Sequence, residues 1–370
     1  MVFHLADASG PSLSLRSELA WLAEGGAVEV VVPAAGRAAD DVASFAETTV
    51  LDYAPLTLVT ARRLARDRRT LAGHIRRTRP SRVLVVTTAL PAALLAARAA
   101  GVPALLYAGE IVPTGPGLAR LIGGGLALGL ARRRADAIVC CSRTVARQFE
   151  RARAPVLVAY PPIAPPKGGD GAAFRARHGI ATGAPCVAAL GSIGRARGQD
   201  LLVRATPALR ERFPDLRVVL GGDPHPRAAD ARFAAELRGL ARDLGVGDAL
   251  VWPGHVERPG DLYAAADVVV NPTRREAFGR VAAEALLAGR PVVATRVEAV
   301  PEVLRDGVDA LLVPPESPSA LGEAAIRLLE SPELGERLVR SGAERVRREF
   351  SPARSLEQFA RAVAALPARG

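Results

Sequence analysis

The chain has 370 residues, enough for two domains at roughly 100–200 residues each. Apolar residues make up 49% and charged ones 24%, which excludes a disordered or fibrous polymer, and no run of 18 uncharged apolar residues is long enough to span a membrane. Basic residues number 49 against 38 acidic ones, and residues 1–160 alone hold 20 arginines against 12 acidic groups. That excess points to an anionic surface or substrate at the N-terminal half.

Val2–Leu5 is a short apolar start, followed by a turn-rich stretch from Ala8 to Ser12. A helix from about Leu13 to Glu24 and a buried strand at Val28–Val32 complete a βαβ unit, which opens a parallel sheet. The run Arg62, Arg63, Arg66, Arg68, Arg69, Arg76, Arg77 and Arg79 falls on one predicted helix with Leu64, Leu71 and Ile75. Such a helix can lie on an anionic membrane or bind a lipid phosphate, and it reads equally as a solvated face. Further strands are predicted at Arg82–Thr87, Ala104–Tyr107, Ala137–Cys140 and Pro155–Ala159. Leu118–Leu130 is apolar, but its glycines make it a poor helix.

Four prolines and two glycines between Tyr160 and Gly169 mark a linker. The α/β pattern then restarts. Strands are expected at Cys186–Leu190, Arg217–Gly221, Leu250–Trp252, Val268–Asn271, Pro291–Thr295 and Ala310–Val313. Helices are expected at Gln199–Phe213, Arg232–Leu244, Leu262–Ala266 and Arg280–Ala288, with two more closing the chain. The fold class is α/β, with two doubly wound parallel-sheet domains at 1–164 and 165–349.

Cys140, Cys141 and Cys186 fit neither a disulfide framework nor a zinc spacing, so they read as buried apolar residues of a protein in a reducing cytoplasm. MVFHLADASG lacks the basic start and long apolar core of a signal peptide. No recognised module or aromatic platform accompanies the arginines, so nucleic acid is not expected as a partner.

The stretch Asn271–Ala294 carries the most chemistry. A strand ends at Asn271, a loop holds Glu276, and a helix begins near Gly279. In such sheets ligands bind outside the carboxyl ends of the strands, where the first-turn amides and the helix dipole attract an anionic diphosphate. Glu284, less than two turns into the helix, leans back toward a ribose hydroxyl, while Glu276 can accept hydrogen bonds from sugar hydroxyls. Either glutamate alone reads equally well as a helix-start charge. Upstream, Gly191-Ser192-Ile193-Gly194-Arg195-Ala196-Arg197-Gly198 leaves a strand and enters a helix, the context of a phosphate-cradling loop.

Glu276-Ala-Phe-Gly-Arg-Val-Ala-Ala-Glu284-Ala-Leu-Leu-Ala-Gly-Arg-Pro-Val-Val-Ala closely resembles the signature of glycosyltransferase family 4, two glutamates separated by seven residues. Tyr263–Pro272 and Val300–Pro315 look like the same family, so the resemblance covers nearly all of 185–315. It implies the GT-B fold, with two Rossmann-like domains facing across a cleft, and a retaining transferase. Such an enzyme would move a hexose or hexose derivative from a UDP- or GDP-sugar to an acceptor hydroxyl, such as that of a lipid-linked or cell-envelope glycan. By the same resemblance Glu276 would hold the donor sugar, amides near Phe278, Gly279 and Val281 would contact sugar and phosphate, and Glu284 would bind ribose. Gly191, Ser192, Arg195 and Arg197 would form the diphosphate turn, and His255 would lie by the nucleobase. Relatives react by a front-face route without a protein nucleophile, so Glu276 and Arg197 become the catalytic candidates.

Departures from the pattern matter. Ser192 stands where the family places an arginine and Arg197 where it places a lysine, so Arg195 can take over the missing charge. The first loop has only Ser9 and Gly10 for the acceptor, and Gly109-Glu110 replaces a His-Glu pair, leaving Glu110 as acceptor ligand or plain loop carboxylate. Relatives return their last helix to the first domain, here about 350–366. Lacking any Asp-x-Asp motif, the chain is expected to need no metal or other cofactor. The location expected is cytoplasmic, peripheral on the inner face of the membrane. An epimerase or phosphorylase of the same fold is disfavoured by the Glu276/Glu284 string. A non-catalytic homologue that binds a nucleotide sugar or a partner protein is the alternative that Ser192 and Gly109 keep open.

Overall fold

The computed structural model describes residues 1–3, 15–34, 44–54, 61–113, 118–225 and 228–367. They form two compact units, one of 1–162 with 352–370 and one of 163–351.

The first unit is built on seven strands: β1 (Val2–Phe3), β2 (Glu29–Val32), β3 (Glu47–Val50), β4 (Val83–Val86), β5 (Ala104–Ala108), β6 (Ala137–Cys140) and β7 (Val156–Val158). All pair in parallel in the order β3-β2-β1-β4-β5-β6-β7. Strands β4, β5 and β6 are buried along their whole length, as strands covered on both faces must be. The helices are α1 (Arg16–Glu24), α2 (Ala61–Thr78), α3 (Pro91–Ala99), α4 (Leu118–Arg134) and α5 (Arg143–Arg147). Strand β3 was not expected. Its sequence ETTV is half-exposed at the sheet edge, so it carries no apolar run to announce it.

The expectation that Leu118–Leu130 is a poor helix is overturned by α4. Tertiary contact outweighs glycine's low propensity. A Cβ at Gly124 would lie 2.5 Å from the Pro113 carbonyl, so only glycine lets the helix come this close. Ala127, Leu128 and Ala131 are buried, and Arg132–Arg134 complement the helix dipole at the last turn. In α2 the apolar residues Leu71 and Ile75 are fully buried, while Arg62, Arg66, Arg68 and Arg69 are exposed. The apolar face is therefore taken by the core of the unit, and only the arginine face remains for any surface contact.

The C-terminal helix, Pro352–Ala364, belongs to this first unit. Ser355 Oγ donates to buried Glu18 at 2.7 Å, the Tyr160 amide donates to Gln358 at 2.9 Å, and Phe359 meets Trp21 edge-on with centroids 6.5 Å apart.

The second unit has six parallel strands: β8 (Cys186–Leu190), β9 (Arg217–Gly221), β10 (Leu250–Val251), β11 (Val268–Asn271), β12 (Val292–Thr295) and β13 (Leu311–Val313). Their order is β10-β9-β8-β11-β12-β13. The chain moves outward from β8, then returns to pair β11 with β8 at Val268–Val187 and Val269–Ala188. That reversal opens a crevice at the carboxyl ends of β8 and β11. The helices are α6 (Gly171–Arg177), α7 (Gln199–Arg212), α8 (Ala228–Asp243), α9 (Pro259–Ala265), α10 (Arg280–Leu287), α11 (Val300–Val303), α12 (Pro318–Glu330) and α13 (Pro332–Glu349). One core packs a single face of the sheet against α7, α8, α12 and α13, including Val187, Leu202, Val218, Phe233, Val270, Leu321 and Leu338.

Candidate active site

At the reversal of the second sheet, the turn after β8 and the loop after β11 meet. Residues Arg195–Arg197 form a single 3-10 turn, which ends on Gly198 at φ 68. A Cβ on Gly198 would fall 2.0 Å from the Pro272 carbonyl, so glycine alone allows this approach. The Arg274 amide donates to the Ala196 carbonyl at 2.8 Å, and the Thr273 hydroxyl donates to the same carbonyl at 3.0 Å. Strained backbone plus steric overlap should make Gly198→Ala lower unfolding free energy by about 1–3 kcal/mol or more. A urea midpoint unchanged from the parent protein would contradict this packing.

Across that junction Arg197 Nη1 lies 3.3 Å from Glu276 Oε2. The arginine is 44% exposed and the glutamate 12%, so the cation faces outward over a largely sheltered carboxylate. The Glu276 loop is fastened from behind. Glu298, in the loop after β12, accepts from the Glu276 amide at 2.7 Å and from Arg275 at 2.6 Å. The Ala299 amide donates to the Glu276 carbonyl at 3.2 Å.

Gly279 is the N-cap of α10 with φ 109, and no side chain caps that helix. Its α-carbon adjoins Glu276, since a Cβ there would sit 3.8 Å from the Glu276 side chain. Phe278 is buried edge-on against Phe350 at 5.2 Å, which anchors the entry to the helix. Five residues beyond Gly279, Glu284 is paired with Arg280 at 3.0 Å, and the buried Tyr263 hydroxyl shares a 3.4 Å contact with both Glu284 and the Val281 carbonyl. Burial, and then the charge of Glu284, push the Tyr263 phenol well above its usual range, so it stays a proton donor.

The loops after β8, β9 and β10 run side by side. The Gly191 amide donates to Gly221 at 2.9 Å, Ile193 to Asp223 at 2.9 Å, and Gly222 to Gly254 at 2.7 Å. This ladder carries exposed His255 to the same end of the sheet as Gly191 and Ser192. Arg195 is turned toward α8 while staying largely exposed. Its guanidinium pairs with Glu236 at 2.5 Å and stacks 5.0 Å over Phe233, both on α8.

In the first unit, Glu110 follows β5. One of its carboxylate oxygens accepts from the Thr87 hydroxyl at 2.7 Å and the Thr88 amide at 2.6 Å, and the other accepts from the Gly109 amide at 3.2 Å. Thr87 holds φ 111, a costly conformation for a β-branched residue. Burial nevertheless raises the Glu110 pKa above the ordinary 4.5, outweighing these donors. A raised acid stabilises the fold while neutral and loses that contribution as pH rises through its folded-state value. The melting temperature of Glu110→Gln, relative to the parent protein, should therefore climb as pH rises above the ordinary carboxylate value of 4.5. A flat or falling difference would refute the buried-carboxyl reading. Ser9 and Gly10 lie outside the described residues.

Sequence reasoning missed Arg274, Glu298, Thr87 and Tyr263. The basic pair Arg274-Arg275 directly before Glu276 was a visible signal. Glu298 sits more than twenty residues downstream, and only the pairing of β11 with β12 brings it alongside. Among the described residues, no helix is long and apolar enough to cross a membrane.

Residues 184–331 match the family model described as Glycosyl transferases group 1. The D-inositol 3-phosphate glycosyltransferase of Actinosynnema mirum is 41% identical over 177 residues, covering 46% of this chain and 42% of that protein. Its namesake from Mycobacteroides abscessus is 39% identical over 177 residues, covering 47% and 37%. The chain thus matches less than half the length of these relatives. Anabaena Alr3699/HepE, solved in complex with UDP-glucose, superposes with a TM-score of 0.84 over 99% of both chains at 20% identity. The chain therefore has the GT-B fold, and its residues 184–331 are similar to the glycosyl transferases group 1 family.

Proposed function

We propose that this chain is a retaining glycosyltransferase. It moves a hexose or hexose derivative from a UDP- or GDP-sugar to an acceptor hydroxyl, such as that of a lipid-linked or cell-envelope glycan. The observation that carries this reading is the 3.3 Å meeting of Arg197 with Glu276 at the carboxyl ends of β8 and β11, beside the uncapped start of α10. An anionic diphosphate is favoured by an outward-facing guanidinium and a helix N-terminus together. The match of residues 184–331 and the UDP-glucose bound by the Anabaena protein support a nucleotide-sugar donor.

In this mechanism the bond from the sugar's anomeric carbon to the diphosphate oxygen breaks, and its electron pair leaves with the nucleoside diphosphate. Arg197 and the amides near Phe278, Gly279 and Val281 stabilise that charge as it develops. The acceptor oxygen bonds to the anomeric carbon on the face the diphosphate vacates, and its proton passes to a departing phosphate oxygen. Glu276 orients the sugar through its hydroxyls, Glu284 holds the ribose, Gly191 and Ser192 line the diphosphate turn, and His255 borders the base. Glu110 hydrogen-bonds the acceptor. With cationic side chains and amides supplying the charge, turnover needs no metal or other cofactor and survives EDTA. Three buried cysteines fit a reducing cytoplasmic location. The exposed arginine face of α2 suits an anionic membrane surface, through charge alone.

A thermal-shift screen of UDP- and GDP-sugars identifies the donor, because a ligand of the native state raises its melting point. A donor–acceptor screen with product stereochemistry read by NMR then tests retention, and an inverted product overturns it. A second reading, a non-catalytic binder of nucleotide sugars, is favoured by Ser192 and by the engagement of Arg195 with α8. Donor binding with no turnover at any acceptor selects it.

A further inference from the structure

We propose that Arg274 is a positioning residue that sets the spacing between the arginine turn and the Glu276 loop, and thereby the protein's preference for a diphosphate over a monophosphate. This rests on the reading that Arg197 faces the diphosphate.

Arg274 spends its whole guanidinium on this junction. Its Nη1 and Nη2 donate to the two carboxylate oxygens of Asp200 at 2.7 and 2.8 Å. Its Nε and Nη2 donate to Glu316 at 2.5 and 3.0 Å, and Nη1 also reaches the Arg195 carbonyl at 2.8 Å. With its amide on Ala196, Arg274 grips both the turn and the first helical turn of α7 behind it. A planar fork with five donors can do this, whereas the single ammonium of lysine cannot. The side chain is 21% exposed, and the hydrogen bonds to Asp200 lift its pKa further above an already high value, so the charge is permanent.

The fold itself does not require this clasp. Strands β8 and β11 already pair, and the core beneath them is apolar. What the clasp fixes is local: Arg197 lies one residue beyond Ala196, and Glu276 two residues beyond Arg274. The clasp also places Arg274 against two carboxylates that would otherwise repel an approaching anion.

The test measures dissociation constants of UDP and UMP by calorimetry, with GDP and GMP in parallel, for the parent protein and for Arg197→Ala, Arg274→Met, their combination and Asp200→Asn. Arg197→Ala should cut the diphosphate preference by about 10–100-fold, the range expected for a lost charged hydrogen bond. Arg274→Met should cut it roughly tenfold with little change for the monophosphate, and the combined variant should be no worse than Arg197→Ala within about twofold, because residues acting through one another are non-additive. Asp200→Asn removes a negative charge near the anion, so a purely electrostatic role predicts tighter diphosphate binding. Positioning predicts weaker binding, and in a variant that keeps the arginine and its fold.

An unchanged preference in Arg274→Met, an equal loss for diphosphate and monophosphate, or multiplicative effects in the combined variant would each overturn the proposal. So would tighter binding by Asp200→Asn. If Arg197→Ala itself leaves the preference intact, the underlying reading of the arginine turn falls, and this proposal falls with it.

Discussion

Glu276→Ala is expected to lower kcat/KM by about a thousandfold or more while leaving the melting temperature within a few degrees of the parent protein. The side chain is sheltered at 12% exposure and paired with Arg197, and the backbone that carries it is fastened by the Glu298 contact to the Glu276 amide. A group so fixed loses little entropy when it binds sugar hydroxyls, so its deletion is felt in positioning the anomeric carbon. Its contribution to folding is small by comparison, because a partly exposed ion pair contributes little to stability. Glu276→Gln keeps the shape and should recover part of the activity. Activity within about threefold of the parent in Glu276→Ala would remove this residue from the site.

Arg197→Ala is expected to lower kcat by about a hundred- to a thousandfold, the effect of deleting one stabiliser of developing charge. The reasoning combines exposure and inventory. Arg197, 44% exposed, pairs with Glu276 at the junction of the two loops, whereas Arg195 pairs with Glu236 and stacks on Phe233, and Ser192 carries no charge. On the proposed function, Arg197 is the guanidinium of this turn that lies beside Glu276 and would meet the diphosphate. Arg197→Lys should restore about a tenth or more of the lost rate, as a point charge without bidentate geometry. Steady-state kinetics at saturating donor decides the matter. A rise in KM alone, with kcat unchanged, would assign Arg197 to ground-state binding.

These effects bear on the departures from the family pattern. On the proposed function, a diphosphate turn with one cation fewer than the family pattern depends more heavily on the one that remains, and on whatever fixes its place. Arg274, Asp200 and Glu298 are chemically unremarkable in the chain and lie up to about a hundred residues apart, yet their contacts fasten the loop that carries Glu276.

Much of the architecture was legible in the sequence because it rests on short-range physics. Buried parallel strands must be continuous apolar runs, so Val268–Asn271 and Cys186–Leu190 announced themselves. The glutamate pair, the glycine at 279 and the arginine turn were visible as residue types at fixed spacing beside strand ends. Where the reading failed, a distant partner decided the outcome. Leu118–Arg134 is helical despite its glycines, and at Gly124 the absent side chain lets the helix approach the Pro113 carbonyl. The edge strand β3 forms because β2 offers it a free row of amides and carbonyls, with no apolar pattern of its own. Local sequence thus determines which segments are strands, which loops carry charge and where a ligand's anion would be welcome. Which guanidinium is left to meet that anion depends on pairings across tens of residues, because an ion pair is chosen by distance in space and sequence spacing does not encode it.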